Sequence, residues 1–311
     1  MPQALLLLLI VLFLIISSCK SPTEQKLELI KEIKAFEKEL GFNETDNFKT
    51  YSEELEAYDY YFYTPKTTLP YSLDDPSLQF GVGKPESAPI DTEKYDVFFY
   101  SIETIAGVKT PVTKSLLKAP LPRFIHLIFH EDWQEQMDSP LGIEEPCAEV
   151  VSYAAAKLFT ENKFGRDSTV YKTLDSEFNK KLKESEIYNQ YYEELRVLYS
   201  RFHSGEISEA ETLSRKAELL KAMEYDLIDI WLGKPRQLNN AFIAFQMTYY
   251  RHLPLMHQVF SATDSDLTKT MTIFRSVPNQ GAAFESLEEL KSIETGVTDY
   301  LRNTLLKIVR A

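Results

Sequence analysis

The pattern of apolar residues changes along this 311-residue chain, and the change limits the fold to a few classes. Residues 45–120 hold 7 of the 15 prolines and two runs of aromatic and β-branched residues, at 60–63 and 97–100. Such runs are typical of strands, whereas the apolar spacing in the second half of the chain is almost purely helical. We therefore predict an α+β, predominantly helical fold, with a small strand-containing part (45–115) before a helical body (116–311).

Local start signals predict where several helices begin. Pro122 and Pro146 each fit the first turn of a helix, where the N–H that proline lacks has no partner in any case. Ser208 and Ser286 are each followed three residues later by a glutamate, which is the capping box that opens a helix. The predicted helices cover about residues 27–40, 122–137, 146–161, 208–231 and 286–310.

The composition excludes several classes of protein. Acidic residues number 47 and basic residues 34, and the resulting net charge of −13 argues against nucleic acid as a partner, which needs a basic face. Apolar residues make up 44% of the chain, which is enough to form a buried core. Glycine is scarce, with 10 residues, and the sequence contains no glycine-rich phosphate-binding motif.

The first residues are typical of an export signal rather than of a folded domain. Ala4–Ile16 is an unbroken apolar run of 13 residues, shorter than the ~20 needed to span a bilayer. Two serines follow it before Cys19, which resembles a bacterial lipobox, although no basic residue precedes the run. We predict that 1–18 is a lipoprotein signal peptide and that 19–311 forms a single domain. A plain signal peptide and a retained helix stay open as alternatives.

A lipid on Cys19 would place the protein in the bacterial cell envelope, attached to a membrane through its N-terminal anchor. Cys147 would then be the one remaining cysteine, so the exported chain is predicted to hold no internal disulfide. A core of this size does not need one.

The dipeptide His130-Glu131 is the strongest indication of chemistry in the sequence. Zinc peptidases place two histidines four residues apart on one helical face, and a glutamate beside the first takes a proton from the attacking water. Here His130 and Glu131 match, but Gln134 stands where the second histidine is expected. A glutamate on the next helix is the third ligand in one class of these enzymes, and Glu145 is the candidate. The negative charge of Glu145 would also stabilise the positive N-terminal end of that helix without any metal.

His126 lies four residues before His130 and offers a second way to hold a metal. His126, His130 and Gln134 follow one stripe along the predicted helix. The two histidines together with Glu145 form an alternative ligand set. His126 is also explained as a histidine of the core, and both interpretations stay open here.

Short blocks of sequence, in a fixed order, carry a resemblance to a known family. The blocks are the lipobox at Cys19, Tyr95–Val97 with Thr110–Leu117, Leu127–Glu131 with Glu144–Ala148, Leu238–Ala241 with Thr248–Tyr249 and Leu253–Pro254, and Asp266–Leu267. They resemble blocks of the bacterial predicted aminopeptidase lipoproteins, a family of zinc metallopeptidases. Leu127–Glu131 is similar to the family's LIFHELAHQ, and 144–148 stands where the family has NESFA. The resemblance covers most of the chain after Cys19.

The resemblance implies a zincin-like helical body and zinc-dependent aminopeptidase activity on peptides. It implies that His130 is the first zinc ligand, Glu145 the acidic ligand and Glu131 the general base. Gln134 takes the place of the family's second histidine, and its amide oxygen is a weaker zinc donor than imidazole. Three outcomes stay open: a weak but working site, a site completed by His126, or an impaired enzyme that binds peptides or a partner protein. A helical lipoprotein unrelated to the family is a further alternative.

Three candidates lie in or near one helix of the second half. In the functional interpretation, Asn239 and Asn240 bind substrate and Tyr249 stabilises the oxyanion of a tetrahedral intermediate. In the alternative interpretation, the two asparagines, which are poor helix formers, belong to a buried polar network that ties two helices together.

Overall fold

Ten helices and one three-stranded sheet form the described part of the chain, which is residues 20–87, 89–107, 109–234 and 236–310 of a computed structural model. The helices are α1 (Pro22–Leu40), α2 (Lys114–Lys118), α3 (Leu121–Gln134), α4 (Leu141–Phe164), α5 (Thr169–His203), α6 (Glu209–Leu227), α7 (Asn240–Tyr250), α8 (Leu253–Ala262), α9 (Leu267–Arg275) and α10 (Leu287–Arg310). The strands are β1 (Tyr58–Pro65), β2 (Gln79–Val82) and β3 (Tyr95–Ile102). The described part of the chain is 60% helical, so the predicted α+β, mostly helical class is confirmed.

The predicted export signal falls on residues that lie outside the described part of the chain. These are 1–19, which include the signal peptide (1–18) and the lipidation site Cys19. Both stay predictions. Within the described ranges, no helix has the length and apolar character needed to cross a bilayer.

The two aromatic runs form paired strands of the sheet, as predicted. The strand order is β2-β1-β3 with antiparallel neighbours, and Phe62 lies opposite both Phe80 and Phe98. Side chains alternate along a strand, so Phe62, Phe98 and Tyr100 share one face of the sheet. That face packs on α7, where the Phe245 ring centroid lies 4.6 Å from Tyr100 and 5.1 Å from Phe98. The sheet therefore turns its aromatic face toward the helical body.

Helix α3 runs through the core. It begins after Pro120, with Pro122 in its first turn as predicted, and every residue from Phe124 to Gln134 is buried. Apolar residues of the helices from α1 to α10 belong to the same buried cluster, which includes α3 and α4. The histidines and acids of α3 are therefore held away from bulk water, and buried polar groups of this kind need partners.

Helix α4 begins at Leu141, so the prediction that Pro146 opens this helix is wrong: Pro146 lies inside it. The earlier start is stabilised by Asp74, which accepts the backbone N–H of Leu141 (2.7 Å) as a capping side chain would. A residue so distant in sequence gives no local signal. As a consequence, Glu145 lies within α4, one turn before Glu149.

The start of α4 is also held by α10. Glu294 on α10 is buried; it accepts a hydrogen bond from the Tyr71 hydroxyl (2.7 Å) and lies 2.9 Å from His252 Nε2. Its second carboxylate oxygen lies against Gly142, where an added Cβ atom would overlap it. A larger residue at position 142 would therefore displace the Glu294 carboxylate from its place between Tyr71 and His252.

Ser208 and Ser286 cap the starts of two helices, as predicted, although only the serine half of each capping box forms. The hydroxyl of Ser208 accepts the N–H of Glu211, and that of Ser286 accepts the N–H of Glu289, both at 3.2 Å. Helix α6 ends at Leu227, slightly before the predicted end, whereas α10 covers its predicted range.

Candidate metal centre

Two histidines and two glutamates face each other between α3 and α4. His126 and His130 are one turn apart on α3, and Glu145 and Glu149 are one turn apart on α4. Side chains four residues apart share a helical face, so the packing of α3 along α4 brings the two pairs together. All four residues are buried, with at most 6% of their surface exposed.

His130 lies between the two carboxylates. Its Nε2 is 3.0 Å from Glu145 Oε2, and its Nδ1 is 4.0 Å from Glu149 Oε1. Burial lowers the pKa of His130, but the hydrogen bond to Glu145 and the charges of Glu145, Glu149 and Glu131 raise it further, to about 9. Without a metal, His130 is therefore an imidazolium ion at neutral pH.

His126 has the opposite protonation state. Burial and the positive charges of His130, Lys181 and Arg123 lower the pKa of His126 well below its usual value. The ring is therefore neutral and has a nitrogen lone pair for a metal. Its Nε2 lies 3.0 Å from Ser152 Oγ and 3.8 Å from Glu149 Oε2.

His126, His130 and Glu149 could together bind a metal ion. One potential ligand atom from each lies within 4.8 Å of the other two. Two buried atoms, His130 Nδ1 and Glu149 Oε2, have no hydrogen-bond partner among the described residues. Lys181 Nζ is 3.1 Å from the other oxygen of Glu149 and leaves Oε2 unpaired. Imidazole nitrogen and carboxylate oxygen are the donors that zinc accepts in proteins, so this residue set fits a metal.

The structure brings most of the sequence-predicted ligands to one place, but in a different arrangement. Glu145 contacts His130 from the side away from Glu149. Gln134 is buried and lines the same cavity. Glu149 is not among the ligands predicted from the sequence. It lies within the predicted helix 146–161, and its spacing from Glu145, equal to that of the two histidines, is the signal that points to it.

Glu131 lies beside the histidines and lines the cavity. Burial raises the pKa of its carboxyl to about 8, and the nearby positive His130 only partly offsets this effect. Its side-chain oxygens form no hydrogen bond with another described residue. The carboxyl therefore gains and loses a proton near neutral pH, which suits a group that transfers protons.

The centre lies in a cavity of about 940 Å³. Nine aromatic side chains also line this cavity. Seven of them come from the sheet and α7; they are Tyr60, Phe62, Phe80, Tyr100, Phe245, Tyr249 and Tyr250. Burial first, and the charge of Glu145 next, raise the pKa of Tyr249 well above its usual value, so its hydroxyl keeps its proton. The predicted catalytic tyrosine is thus in the same cavity as the metal centre.

Asn239 and Asn240 lie elsewhere, where they join α7 to the sheet and to the loop after β1. Asn239 caps α7 through the N–H of Phe242 (2.9 Å) and donates to the carbonyl oxygen of Val97 (2.8 Å). Asn240 is fully buried and donates to the carbonyl oxygen of Thr68 (2.7 Å). Neither residue lines the cavity, so the structure does not bring the two asparagines to the metal centre.

No family model, curated protein or solved structure matches the chain.

Proposed function

We propose that this protein is a zinc-dependent peptidase whose metal is held by His126, His130 and Glu149. The observation that supports the proposal is the pair of unpartnered buried atoms, His130 Nδ1 and Glu149 Oε2, which lie beside His126 in a large cavity. Buried polar atoms without partners cost stability unless a bound group satisfies them. Zinc, when bound, polarises a carbonyl group and makes water more acidic.

Glu145 has a different role in this proposal from the one that the resemblance implies. With Nε2–H of His130 donating to Glu145, the Nδ1 lone pair is left for the metal. Glu145 therefore orients His130 rather than binding zinc. His130 has to release a proton when it becomes a ligand, because imidazolium has no free lone pair.

Glu131 is the general base. Its carboxylate oxygen accepts a proton from the water that attacks the peptide carbonyl, and the same carboxyl then gives the proton to the leaving amine. A pKa of about 8 supports both steps near neutral pH. The Tyr249 hydroxyl, which stays protonated, is placed in the same cavity to donate to the developing oxyanion. Action at a free N-terminus, and attachment to the bacterial cell envelope through Cys19, rest on the sequence alone.

Zinc reconstitution of the purified protein tests the proposal. We expect about one zinc per chain by elemental analysis and hydrolysis of a mixed peptide library followed by mass spectrometry. Glu131→Gln should keep the zinc and lose hydrolysis, because only the proton acceptor is changed. Glu135→Gln is the matched control, since Glu135 is exposed on the same rim of the cavity. Less than about 0.1 zinc per chain would contradict the proposal.

A peptide-binding protein without activity is the second candidate. The His130–Glu145 contact forms an ion pair without any metal, and Gln134 replaces a histidine ligand of the resembled family. Saturable peptide binding in the absence of bound zinc and of hydrolysis would support this candidate over the first.

A further inference from the structure

Six of the nine aromatic side chains that line the cavity form one continuous surface, which we name the aromatic wall: Tyr60, Phe62, Phe80, Tyr100, Phe245 and Tyr249. Neighbouring rings are in contact along it. Ring centroids are 5.4 Å apart for Tyr60 and Phe80, 4.6 Å for Tyr100 and Phe245, and 5.2 Å for Phe245 and Tyr249.

The aromatic wall adjoins the metal centre. Both line one cavity, and Tyr249 packs against the main core cluster as well as against the smaller cluster under the sheet. The charges of Glu145 and Glu131 contribute to the raised pKa of Tyr100 and of Tyr249, which agrees with this proximity. A molecule that reaches the metal centre therefore meets aromatic side chains next to it.

Part of the aromatic wall is not covered by the protein itself. Phe80, on the edge strand β2, is 57% exposed, and Tyr60, Tyr100 and Tyr249 are only partly buried. Apolar surface that lines a cavity and stays uncovered is typical of a ligand site. Aromatic rings offer large contact areas with few rotatable bonds, and they favour other aromatic rings as partners.

The charges of the cavity disfavour acidic ligands. Among the described residues, seven glutamates and four lysines or arginines line it. Two of the four cations are paired: Arg123 with Glu103, through two hydrogen bonds, and Lys181 with Glu149. An acidic side chain would therefore lose its hydration in a cavity that holds more glutamates than cations.

We infer that the aromatic wall selects peptides with large apolar side chains, aromatic ones above all, beside the bond held at the metal centre. The inference rests on the proposed function for the bond that is cleaved, but the recognition itself needs only the cavity. Phe80 and Tyr60 contact the outer part of such a side chain. Acidic side chains bind more weakly because glutamates outnumber cations around the cavity.

Peptide binding to the full-length Glu131→Gln protein, loaded with zinc, tests the inference by isothermal titration calorimetry. The probes are three pentapeptides of alanine in which positions one, three and five are phenylalanine, alanine or glutamate, so that the register of binding does not matter. We expect the phenylalanine peptide to bind about tenfold or more tightly than the alanine peptide, and the glutamate peptide to bind most weakly.

Phe80→Ala in the same Glu131→Gln background should lower the affinity for the phenylalanine peptide by about threefold or more. The affinity for the alanine peptide should not change. Because Phe80 is exposed, the thermal midpoint should not move. Val82→Ala is the matched control, since Val82 is exposed on the same strand and does not line the cavity. Equal binding of the two peptides, equal weakening of both by Phe80→Ala, or no saturable binding would overturn the inference. If the protein prefers the phenylalanine peptide but binds no zinc and hydrolyses no peptide, the inference about the aromatic wall holds and the proposed function is rejected.

Discussion

His130 belongs to both candidate ligand sets, which differ in the glutamate that joins it at the metal. One ring nitrogen faces Glu145 and the other faces Glu149, so one carboxylate orients the ring while the other joins it at the metal. Nδ1 is the nitrogen without a hydrogen-bond partner among the described residues, which is why we assign Nδ1 to the metal.

Replacing each glutamate by glutamine separates these roles. Glu149→Gln should lower zinc affinity by about 100-fold or more, because it removes a charged ligand, whereas Glu145→Gln should lower it by about tenfold through loss of orientation. Competition with a fluorescent zinc chelator measures both. A larger loss for Glu145→Gln would instead support the ligand set that the resemblance implies.

At the scale of elements, a buried polar network joins α1 to α3 beside the candidate metal centre. Asp132 on α3 is fully buried, accepts hydrogen bonds from Thr45 (2.6 Å) and Asn47 (3.2 Å), and pairs with Lys34 on α1. Burial and the charge of Asp132 raise the pKa of neighbouring Glu37 to about 10. The Glu37 carboxyl is therefore neutral at pH 7, and the network contains one carboxylate for one lysine.

Urea unfolding at pH 7 should distinguish the two acids. Asp132→Asn should lower the free energy of unfolding by about 2–4 kcal/mol, because it leaves buried donors and Lys34 without their anion. Glu37→Gln should not lower it and should raise it, because the wild type has to take up a proton to bury this carboxyl at pH 7 and glutamine does not.

The pH dependence of the unfolding free energy tests the protonation state of Glu37. A pKa raised by folding means that the contribution of Glu37 to stability is fully present below its unfolded value near 4.5 and is lost as pH rises from there through about 10. Glu37→Gln should therefore gain stability relative to the wild type across that range. If Glu37→Gln is as costly as Asp132→Asn at pH 7, Glu37 is ionised and paired with Lys34, whose Nζ lies 3.9 Å away.

Elements with local signals could be predicted from the sequence, and elements set by distant contacts could not. Pro122 and the capping serines mark helix starts within a few residues, and the aromatic runs mark strands. The start of α4 depends on Asp74, far away in sequence, so the local sequence predicts this start too late. Glu149 lies within the predicted helix, but the resemblance points to Glu145 instead, whereas the spacing of His126 and His130 is evident within one well-predicted helix.

At the scale of the whole molecule, three distant segments meet at the start of α4. Asp74 comes from the loop between β1 and β2, His252 from the residue before α8, and Glu294 from α10. Burial, together with the charges of Glu294 and Glu145, raises the pKa of Asp74 to about 6, although the N–H of Leu141 lowers it. Ionisation of Asp74 at neutral pH therefore lowers the stability of the folded protein.

Asp74→Asn tests that cost. Since the folded-state pKa is raised, the contribution of Asp74 is most favourable below its unfolded value near 3.8 and is lost as pH rises through about 6. Asparagine keeps a carbonyl oxygen for Leu141 and has no such dependence. Relative to the wild type, Asp74→Asn should gain on the order of 2 kcal/mol in unfolding free energy between pH 4 and pH 7.

Urea unfolding across that pH range measures the effect. Asp299→Asn is the control, because Asp299 is exposed on α10 away from this junction. A difference between Asp74→Asn and wild type that does not vary with pH would show that Asp74 is ionised as easily in the folded protein as in the unfolded chain.

The contact between Glu294 and Gly142 has a consequence for the order of assembly during translation. Helix α4, with both of its glutamates near the metal centre, leaves the ribosome well before α10. Until α10 arrives, the first turn of α4 lacks one of the contacts that fix it. A chain interrupted before α10 would thus hold every proposed zinc ligand and still lack the arrangement that aligns them.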